Sequence, residues 1–591
     1  MTYLTDHVVV LDGSAATDRE IVGNKGLSIV RMVGLGLPVP PAFALPIEEC
    51  RRFQAAGERL DDGVWRAVLR GLAALEERTG RRLGDPASPL LVSVRSAAAM
   101  SMPGMMDTIL NLGITDEVQE GMAGLTGDAD FARATHVRFV HEYGHIVLGA
   151  DLDEPAADAT ADGARAAVRE DTGGEVPRAA HDQLRGAVEA VFRSWSSRRA
   201  KAYRRHWGIS EDGGTAVIVQ AMVFGNMGGD SGTGVLFTRD PLTGAAEPYG
   251  EWLPGGQGED VVSGTHDCLP LSALREQLPE AHDQLLAAGR LLEREHGDVQ
   301  DIEFTLERGR LYLLQTRAAK RAPLAALRTA VDLVGEGAID RREALRRVTV
   351  EQLATVLAPR LSEEVIATAE VVARGTPACP GVASGRAVAD ADAAQGDGGD
   401  TVLVRPTTSP EDVSGMIAAR AVVTERGGAT SHAAVVTRAL GRPSVVGVGE
   451  GVTDALAGRE LTVDGSAGVV YAGRLATQEV RAADVEGLEE LVAWARDLSP
   501  VEVVDEAAGA VDLDAVGVGV GAEGPPDADD LAVRLRGATA ARGSVLATPE
   551  GARAVLAAGV RTIVRLPGQS AAAVLLRLVQ ETIHPEEDKI P

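Results

Sequence analysis

The chain has 591 residues, of which 45% are hydrophobic and 24% charged, the composition of a soluble globular protein with several domains. Its net charge of −28 and pI near 4.9 exclude the broad basic face that nucleic-acid-binding proteins present. No run of about 18 apolar residues is present that would span a membrane. The three cysteines, Cys50, Cys268 and Cys379, form no CxxC pair or metal spacing. Together with an N-terminus lacking a basic-then-apolar leader, these features predict a cytoplasmic protein.

A glycine-flanked lysine is the first candidate for chemistry. Residues 7–12 are predicted to form a strand, and Gly23-Asn24-Lys25-Gly26 precedes a predicted helix from Leu27 to Val33. Lys25 is one of only four lysines in the chain, and at a helix start it could reach a nucleotide phosphate as a point charge. The short motif is weak by itself, and a solvated lysine is the alternative. The spacing is not that of a Walker A loop.

A second candidate lies at the end of a predicted buried strand, Leu90 to Val94. Arg95 is expected to emerge at the end of this strand, where it could clamp phosphate oxygens. The alternative is an arginine paired with a carboxylate. The loop of residues 101–108, rich in methionine and small residues, could close over a ligand. Residues 115–212 are predicted to be mainly helical, with residues 151–179 forming an exposed connection or a mobile insert.

A predicted β-hairpin at residues 300–321 carries the third cluster. Alternation places Asp301 and Glu303 on one face of the first strand, and Gln315 and Arg317 on the matching face of the second. Two carboxylates and an amide oxygen suit Mg²⁺ carrying a nucleotide, and an arginine would neutralise charge during phosphoryl transfer. The alternative is a solvated amphipathic hairpin.

The chain is organised around a single histidine. A predicted strand, residues 421–423, is followed by a Gly427-Gly428 turn and by a predicted helix from His432 to Leu440. A histidine in the first turn of a helix lies beside free backbone N–H groups and the positive end of the helix dipole. A neutral imidazole there could accept a phosphoryl group. The alternative is an ordinary capping or core histidine.

The stretch from Thr424 to Val436 resembles the phosphohistidine motif of phosphoenolpyruvate-utilising enzymes. The segments 23–26, 89–113, 225–234, 250–262 and 300–317 resemble pyruvate, phosphate dikinases in particular. The resemblance extends from about residue 20 to about residue 475. Its domain order, nucleotide-binding part before histidine part, differs from that of rifampicin phosphotransferases and of glucan, water dikinases.

This resemblance implies an α/β and α+β multidomain fold. We expect an ATP-grasp nucleotide-binding domain (1–322, with a helical insert at about 115–212) and a helical linker (323–372). A swivelling phosphohistidine α/β domain (373–485) and a short α/β C-terminal segment (486–591) follow. The dikinases also carry a β/α barrel that binds pyruvate and phosphoenolpyruvate and needs about 250 residues. We expect this chain to lack most of that barrel, since residues 486–591 predict only a few βα units, with strands at 501–504, 516–520, 544–547 and 562–566.

The resemblance also assigns roles. His432 is the expected catalytic residue; Lys25, Arg95, Glu303, Gln315 and Arg317 are expected to bind ATP; and Asp301, Glu303 and Gln315 are expected to bind Mg²⁺. Thr430 corresponds to a threonine that is phosphorylated for regulation in plant relatives, and we treat it as a regulatory hypothesis.

The predicted function is a pyruvate, phosphate dikinase-like transfer of a phosphoryl or pyrophosphoryl group from ATP to His432. In the family, the group then passes to pyruvate, giving phosphoenolpyruvate with AMP and pyrophosphate. The expected partners are ATP, phosphate and, through a separate chain, pyruvate or phosphoenolpyruvate. The expected assembly is a homodimer. We expect the protein to bind neither nucleic acid nor a membrane. Two alternatives stay open, a phosphohistidine carrier or regulator acting on a partner chain, and an inactive paralogue.

Overall fold

The computed structural model describes residues 3–583 except 6, 15–16, 101, 103–105, 207–208, 263–267, 358–359, 397–399, 410–411, 441, 479, 481, 514–526 and 567–569. The described residues form a mixed α/β protein with separate six-, five-, eight- and four-stranded sheets and several hydrophobic cores. The α/β, multidomain organisation predicted from the sequence is confirmed at this level.

The first part of the chain contains two large antiparallel sheets and eleven of the 23 α-helices of the described residues. Its strands are β1 (Tyr3–Thr5), β2 (Val8–Val10), β3 (Ala42–Leu45), β4 (Arg82–Leu83), β5 (Pro89–Leu90), β6 (Val92–Ala98), β7 (Thr108–Leu112), β8 (Thr215–Ala221), β9 (Gly232–Phe237), β10 (Tyr249–Pro254), β11 (Leu269–Pro270), β12 (Gln300–Glu307) and β13 (Arg310–Ala318). Its helices are α1 (Arg19–Gly34), α2 (Ile47–Ala55), α3 (Asp62–Thr79), α4 (Asp116–Thr126), α5 (Ala129–Tyr143), α6 (Ala161–Thr172), α7 (Ala180–Ser194), α8 (Arg198–His206), α9 (Gly258–Val262), α10 (Leu271–Gln277) and α11 (Pro279–His296).

Helix α1 joins the two sheets of this part. The six-stranded sheet has the order β1-β2-β3-β8-β6-β7, and the five-stranded sheet has the order β11-β10-β9-β12-β13. The helix packs on β6 and β8 of the first sheet and on β13 of the second. Its buried residues Val22, Ile29 and Met32 belong to one core with Ile218 of the first sheet and Ile302 of the second. Burial of this apolar face fixes the two sheets relative to each other.

The start of α1 differs from the sequence prediction. The helix begins at Arg19 rather than at Leu27, because the Asp18 side chain accepts a hydrogen bond from the Ile21 amide at 3.0 Å and caps it. Gly23 interrupts the helical conformation with φ of 69° and ψ of 171°. A Cβ atom on Gly23 would lie 2.0 Å from the Ala97 carbonyl oxygen in β6. The glycine therefore permits both the kink and the close approach of α1 to β6.

Two further segments of the first part differ from the predictions. Arg95 does not stand at a strand end, because β6 is paired with both β7 and β8 and continues to Ala98. Residues 151–179 include helix α6, whose Val168 is fully buried. The helix packs on α5, whereas residues 151–160 before it are mostly exposed, as the composition predicted.

The middle of the chain contains short helices followed by an eight-stranded sheet. Its helices are α12 (Pro323–Gly335), α13 (Arg341–Arg347), α14 (Val350–Val356), α15 (Glu363–Thr368), α16 (Ala391–Gly396), α17 (Val413–Ala418), α18 (His432–Leu440) and α19 (Val452–Leu456). Its strands are β14 (Arg360–Leu361), β15 (Val371–Arg374), β16 (Thr376–Cys379), β17 (Val382–Val388), β18 (Thr401–Arg405), β19 (Ala421–Thr424), β20 (Ser444–Val446), β21 (Glu460–Asp464), β22 (Val469–Ala472) and β23 (Thr477–Gln478).

Parallel pairing in the eight-stranded sheet places helix α18 after a central strand. The order is β15-β22-β21-β17-β18-β19-β20-β16, and the pairs from β17 to β20 are parallel. Strand β19 is fully buried, as expected of a central parallel strand. Helix α18 begins at His432 and ends at Leu440, as predicted. The segment 323–372, predicted to be helical, also contains β14 and the start of β15.

The last part of the chain contributes a small parallel sheet and shares a core with the middle helices. Its elements are α20 (Leu488–Leu498), β24 (Glu502–Val504), β25 (Val511–Asp512), α21 (Ala528–Arg534), β26 (Ala540–Arg542), α22 (Pro549–Ala558), β27 (Thr562–Val564) and α23 (Ala571–Ile583). The sheet order is β24-β27-β26-β25. Apolar residues of α20 and α23 pack with those of α12, α13 and α14. None of the helices in the described part of the chain has the length and apolarity that a bilayer crossing requires.

Two of the strands predicted near the C-terminus are not found as strands among the described residues. Residues 544–547 form a 3₁₀ turn rather than a strand, so that prediction is wrong. This turn leads directly into α22, and the Thr548 side chain caps that helix. The predicted strand at 516–520 lies outside the described residues.

We predict that Gly23→Ala destabilises the first part of the chain by about 2–5 kcal/mol, because a Cβ atom there meets both an unfavourable φ and the Ala97 carbonyl. Chemical denaturation of the purified variant measures this change. Gly34→Ala in the same helix is the matched control, since its Cβ atom would meet only Gly13 O at 3.7 Å. Equal stability of the two variants would contradict the role assigned to Gly23.

Candidate functional site

A cavity of about 830 Å³ lies between the two sheets of the first part of the chain. This volume is in the range that accommodates a nucleotide-sized ligand. Five of the residues predicted to bind ATP line it, namely Lys25, Arg95, Glu303, Gln315 and Arg317. The structure therefore brings together residues that lie almost 300 positions apart in the sequence.

Each of these side chains is placed by its secondary-structure element. Lys25 follows the kink at Gly23 in α1, and Arg95 lies within β6. In the β12–β13 pair, Glu303 lies opposite Gln315. The register shifts by one residue immediately after this pair, and such a bulge can re-aim neighbouring side chains.

The cavity wall is electropositive. Burial lowers the pKa of Lys25 to about 8, and the positive charges of Arg95 and Arg317 add to this shift, while Glu303 opposes it. The Arg317 guanidinium Nε donates a hydrogen bond to Asp301 Oδ2 at 2.7 Å. Three clustered cations in a chain with a net charge of −28 form a local binding surface for a polyanion such as a triphosphate.

The three predicted metal ligands differ in their surroundings. Glu303 and Gln315 line the cavity, whereas Asp301 is only 2% exposed and is not among its lining residues. Burial raises the pKa of Asp301, and Arg317 opposes this shift. Oδ1 of Asp301 is buried and has no hydrogen-bond partner among the described residues. One carboxylate, one amide and one unpartnered carboxylate oxygen are an oxygen-donor set that Mg²⁺ accepts.

The predicted lid can be placed only in part. Residues 101 and 103–105 lie outside the described residues. Met100, Met102 and Met106 line the cavity beside the polar residues, and these flexible apolar side chains suit contact with a flat heterocycle.

His432 is the first residue of α18. The preceding Gly427 has φ of 111°, and the Ser431 carbonyl accepts the Val435 amide at 3.0 Å, so the helix starts immediately after the turn. Nδ1 of His432 lies 3.3 Å from Thr408 Oγ1. Nε2 is shielded from solvent and has no partner among the described residues. Burial lowers the pKa of His432, and the Asp412 carboxylate partly opposes this effect. The ring is therefore poised to be neutral at pH 7.

The loop before His432 contacts the five-stranded sheet. The buried Thr430 hydroxyl donates a hydrogen bond to Glu251 Oε2 in β10. A Cβ atom on Gly428 would lie 2.6 Å from Glu251 Oε1, so the second glycine of the turn permits this close approach. The guanidinium of Arg438 in α18 lies 5.9 Å from the centre of the Phe237 ring in β9.

Sequence reasoning missed Glu251 and Arg438 as contact residues. Both lie in segments that the sequence analysis singled out, but nothing local indicates that the two segments meet. The one available signal is a charged residue next to buried positions, Glu251 beside Trp252 in β10.

Two family models match the chain. The model of the pyruvate phosphate dikinase AMP/ATP-binding domain matches residues 56–268. The model of the mobile domain of PEP-utilising enzymes matches residues 398–468. The first range contains Arg95, Phe237 and Glu251, and the second contains the loop and helix of His432. The contacts through Glu251 and Phe237 therefore join two family domains.

The curated relatives that are similar to this chain are called pyruvate, phosphate dikinases, the name that the first family model also has. The chain is 40% identical over 550 residues to the pyruvate, phosphate dikinase of Clostridium symbiosum, covering 85% of this chain and 63% of that protein. It is 41% identical over 531 residues to the chloroplastic pyruvate, phosphate dikinase 1 of Oryza sativa subsp. japonica, covering 83% of this chain and 55% of the relative. A chloroplastic relative from Flaveria trinervia is 43% identical over 454 residues, covering 73% of this chain and 48% of the relative. The chain thus spans less than two thirds of the length of these relatives.

The two matched domains, their order and about 40% identity over most of the chain agree with each other. The chain is therefore similar to pyruvate, phosphate dikinases over most of its own length, and it contains regions that match two of their domains.

Proposed function

We propose that this protein transfers a pyrophosphoryl group from ATP to His432, the ATP-side half of a pyruvate, phosphate dikinase reaction. One observation carries the proposal. The five-stranded sheet supplies Glu303 and Arg317 to the cavity, and on β10 it supplies Glu251, which holds the loop of His432. The same sheet thus serves the nucleotide cavity and the histidine.

The proposed domains follow the sequence analysis. Residues 1–322 form an ATP-grasp nucleotide-binding domain with a helical insert at about 115–212, and residues 323–372 form the linker. Residues 373–485 form a swivelling phosphohistidine domain, and residues 486–591 form a C-terminal α/β segment. The two antiparallel sheets around the cavity and the separate eight-stranded sheet support the first and third assignments.

In the proposed ATP site, cations hold the triphosphate. Lys25, Arg95 and Arg317 neutralise its charge and orient it, and Gln315 offers a further polar contact. Glu303 and Gln315, with the unpartnered Oδ1 of Asp301, would hold Mg²⁺. When bound, the metal supplies charge neutralisation at the phosphate oxygens.

His432 acts as the nucleophile. In this proposal the proton of the neutral ring is on Nδ1 and is donated to Thr408 Oγ1, so that the lone pair of Nε2 is free. A bond forms between Nε2 and the β-phosphorus, and the bond from the β-phosphorus to the bridging α–β oxygen breaks. AMP leaves with both electrons of that bond. Arg317 and Lys25 stabilise the charge that shifts onto the leaving group.

The remaining steps need other molecules. Inorganic phosphate accepts the terminal phosphoryl group to give pyrophosphate and leaves phosphohistidine, and the phosphohistidine then passes its phosphoryl group to pyruvate to give phosphoenolpyruvate. The names of the relatives support these substrates. We further propose a homodimeric, cytoplasmic enzyme that binds neither nucleic acid nor membranes.

The proposal is tested by incubating the protein with Mg²⁺ and ATP labelled at the β or the γ position. We expect acid-labile label from both positions without phosphate, and only β label after phosphate is added. His432→Asn is the control and should take no label, because an amide is not a nucleophile. Label from the γ position alone, or label retained in His432→Asn, would contradict the proposal.

The lowered pKa of His432 predicts a specific pH profile. A pKa below the ordinary value of 6.5 keeps the ring neutral, and hence nucleophilic, to lower pH. We expect the acid limb of the single-turnover labelling rate at saturating ATP to have its midpoint below pH 6.5. Rapid-quench measurements on both sides of this pH test the expectation. An acid limb with its midpoint above pH 6.5 would show that burial does not lower the pKa of His432.

The contact between Thr430 and Glu251 predicts how a negative charge at residue 430 acts. Thr430→Glu places two carboxylates against each other and should slow the labelling of His432 by about tenfold or more. Thr430→Ser keeps the hydroxyl donor and is the matched control. This result would support the regulatory hypothesis for Thr430, because a phosphate there would repel Glu251 in the same way. Undiminished labelling of Thr430→Glu would exclude it.

A further inference from the structure

Arg438 is a buried cation that donates hydrogen bonds to two segments of the proposed swivelling domain, residues 373–485, which is called the mobile domain below. It lies six residues after His432 in α18 and is only 2% exposed. Its Nη1 donates hydrogen bonds to the carbonyl of Ala429, at 2.8 Å, and to the carbonyl of Ala378, at 3.2 Å. Ala429 precedes Thr430 in the histidine loop, and Ala378 belongs to β16 near the start of this domain.

The same guanidinium also faces the nucleotide-binding part. It lies over the ring of Phe237, and the carboxylates of Asp301 and Glu251 are close enough to act on its charge. Phe237 lies opposite Asp301 in the β9–β12 pair. Arg438 therefore lies beside the end of β9, the central strand of the five-stranded sheet, and β9 is paired with the strand that carries Glu303.

The environment of Arg438 is unusual for a residue that only fills a core. Its Nε and Nη2 have no hydrogen-bond partner among the residues that the structure describes. Burying unpaired N–H donors is unfavourable, and an apolar side chain of similar size would avoid that cost. What the arginine offers instead is a rigid planar group that can face an aromatic ring while bonding to carbonyls.

We propose that Arg438 is a positioning residue that couples docking of the mobile domain on Phe237 to the placement of the His432 loop. Contact with Phe237 and the carboxylates fixes the guanidinium, and its bond to the Ala429 carbonyl fixes the loop that carries Thr430 and His432. This inference rests on the proposed function, because it concerns the geometry in which His432 meets ATP.

The first test is a double-mutant cycle on His432 labelling from β-labelled ATP in single turnovers. We expect Arg438→Met to slow labelling about 10- to 100-fold and Phe237→Leu about 3- to 10-fold. The double variant should label at the same rate as Arg438→Met, within about twofold, because both substitutions remove the same contact between Arg438 and Phe237. The Kd for ATP should stay within about twofold of the parent value, which also shows that each variant is folded.

Two further variants sharpen the cycle. Arg442→Met is the matched control, because Arg442 also donates to a main-chain carbonyl, that of Ile417 at 3.2 Å in the same domain. It should label at the parent rate. Arg438→Lys keeps a cation for Phe237 and should lose less rate than Arg438→Met. Additive losses in the cycle, or equal losses in Arg438→Lys and Arg438→Met, would overturn the proposal.

The second test measures docking without any chemistry on ATP. In a Cys268→Ser background, Glu251→Cys with Gly428→Cys places one thiol on each domain, at two residues that contact each other in the structure. We expect Arg438→Met to slow disulfide formation by about fivefold or more, and Arg442→Met to leave it unchanged. An unchanged rate in Arg438→Met would overturn the proposal.

The two tests separate the inference from the proposed function. If the parent protein takes no label from ATP but its disulfide formation depends on Arg438, the proposed phosphotransfer fails while the docking role of Arg438 stands. If the parent protein labels normally and neither measurement responds to Arg438, the phosphotransfer stands and the inference fails.

Discussion

The register of β12 between β9 and β13 is the constraint on which the candidate site depends. Asp301 lies opposite Arg317 on one side and opposite Phe237 on the other. A slip of one residue would turn Glu303 away from the cavity and would separate Asp301 from Arg317. The buried core residues Ile302 and Phe304 alternate with these polar residues and hold the register. The same pairing therefore sets the charges that face the cavity and the surface that the loop of His432 contacts.

The charges of this arrangement favour a bound anion, although the protein as a whole is strongly acidic. The cavity gathers Lys25, Arg95 and Arg317, and the docked domain adds Arg438 near Asp301. Desolvation strengthens each interaction with a bound anion, because the effective dielectric constant is lower there than in water. The same desolvation keeps His432 neutral. One physical effect thus acts on both the proposed triphosphate site and its proposed nucleophile.

Local patterns predicted a large part of the fold and of the site. The hairpin β12–β13 and the helix beginning at His432 follow from alternation, from turn residues and from capping, which are all short-range signals. The grouping of Lys25, Arg95, Glu303, Gln315 and Arg317 was predicted from the family resemblance, and the cavity shows them together.

The predictions that differ from the structure, and the contacts that were missed, lie where tertiary packing determines the local structure. Arg95 lies inside a strand because β6 is paired on both sides, and residues 161–172 form a helix whose Val168 is buried. The contact of Thr430 with Glu251 joins residues 179 positions apart. No pattern within either segment indicates its partner, so this contact could be found only in the folded structure.

The central claim is that the docked mobile domain presents residue 432 to the β-phosphate of ATP. The most direct measurement is an experimental structure of the His432→Asn variant with Mg²⁺ and ATP. The account predicts a triphosphate held by Lys25, Arg95 and Arg317, the side chain of residue 432 nearest the β-phosphorus, and an intact bond between Thr430 and Glu251. A triphosphate bound away from these cations, or a residue 432 remote from it while that bond persists, would contradict the account.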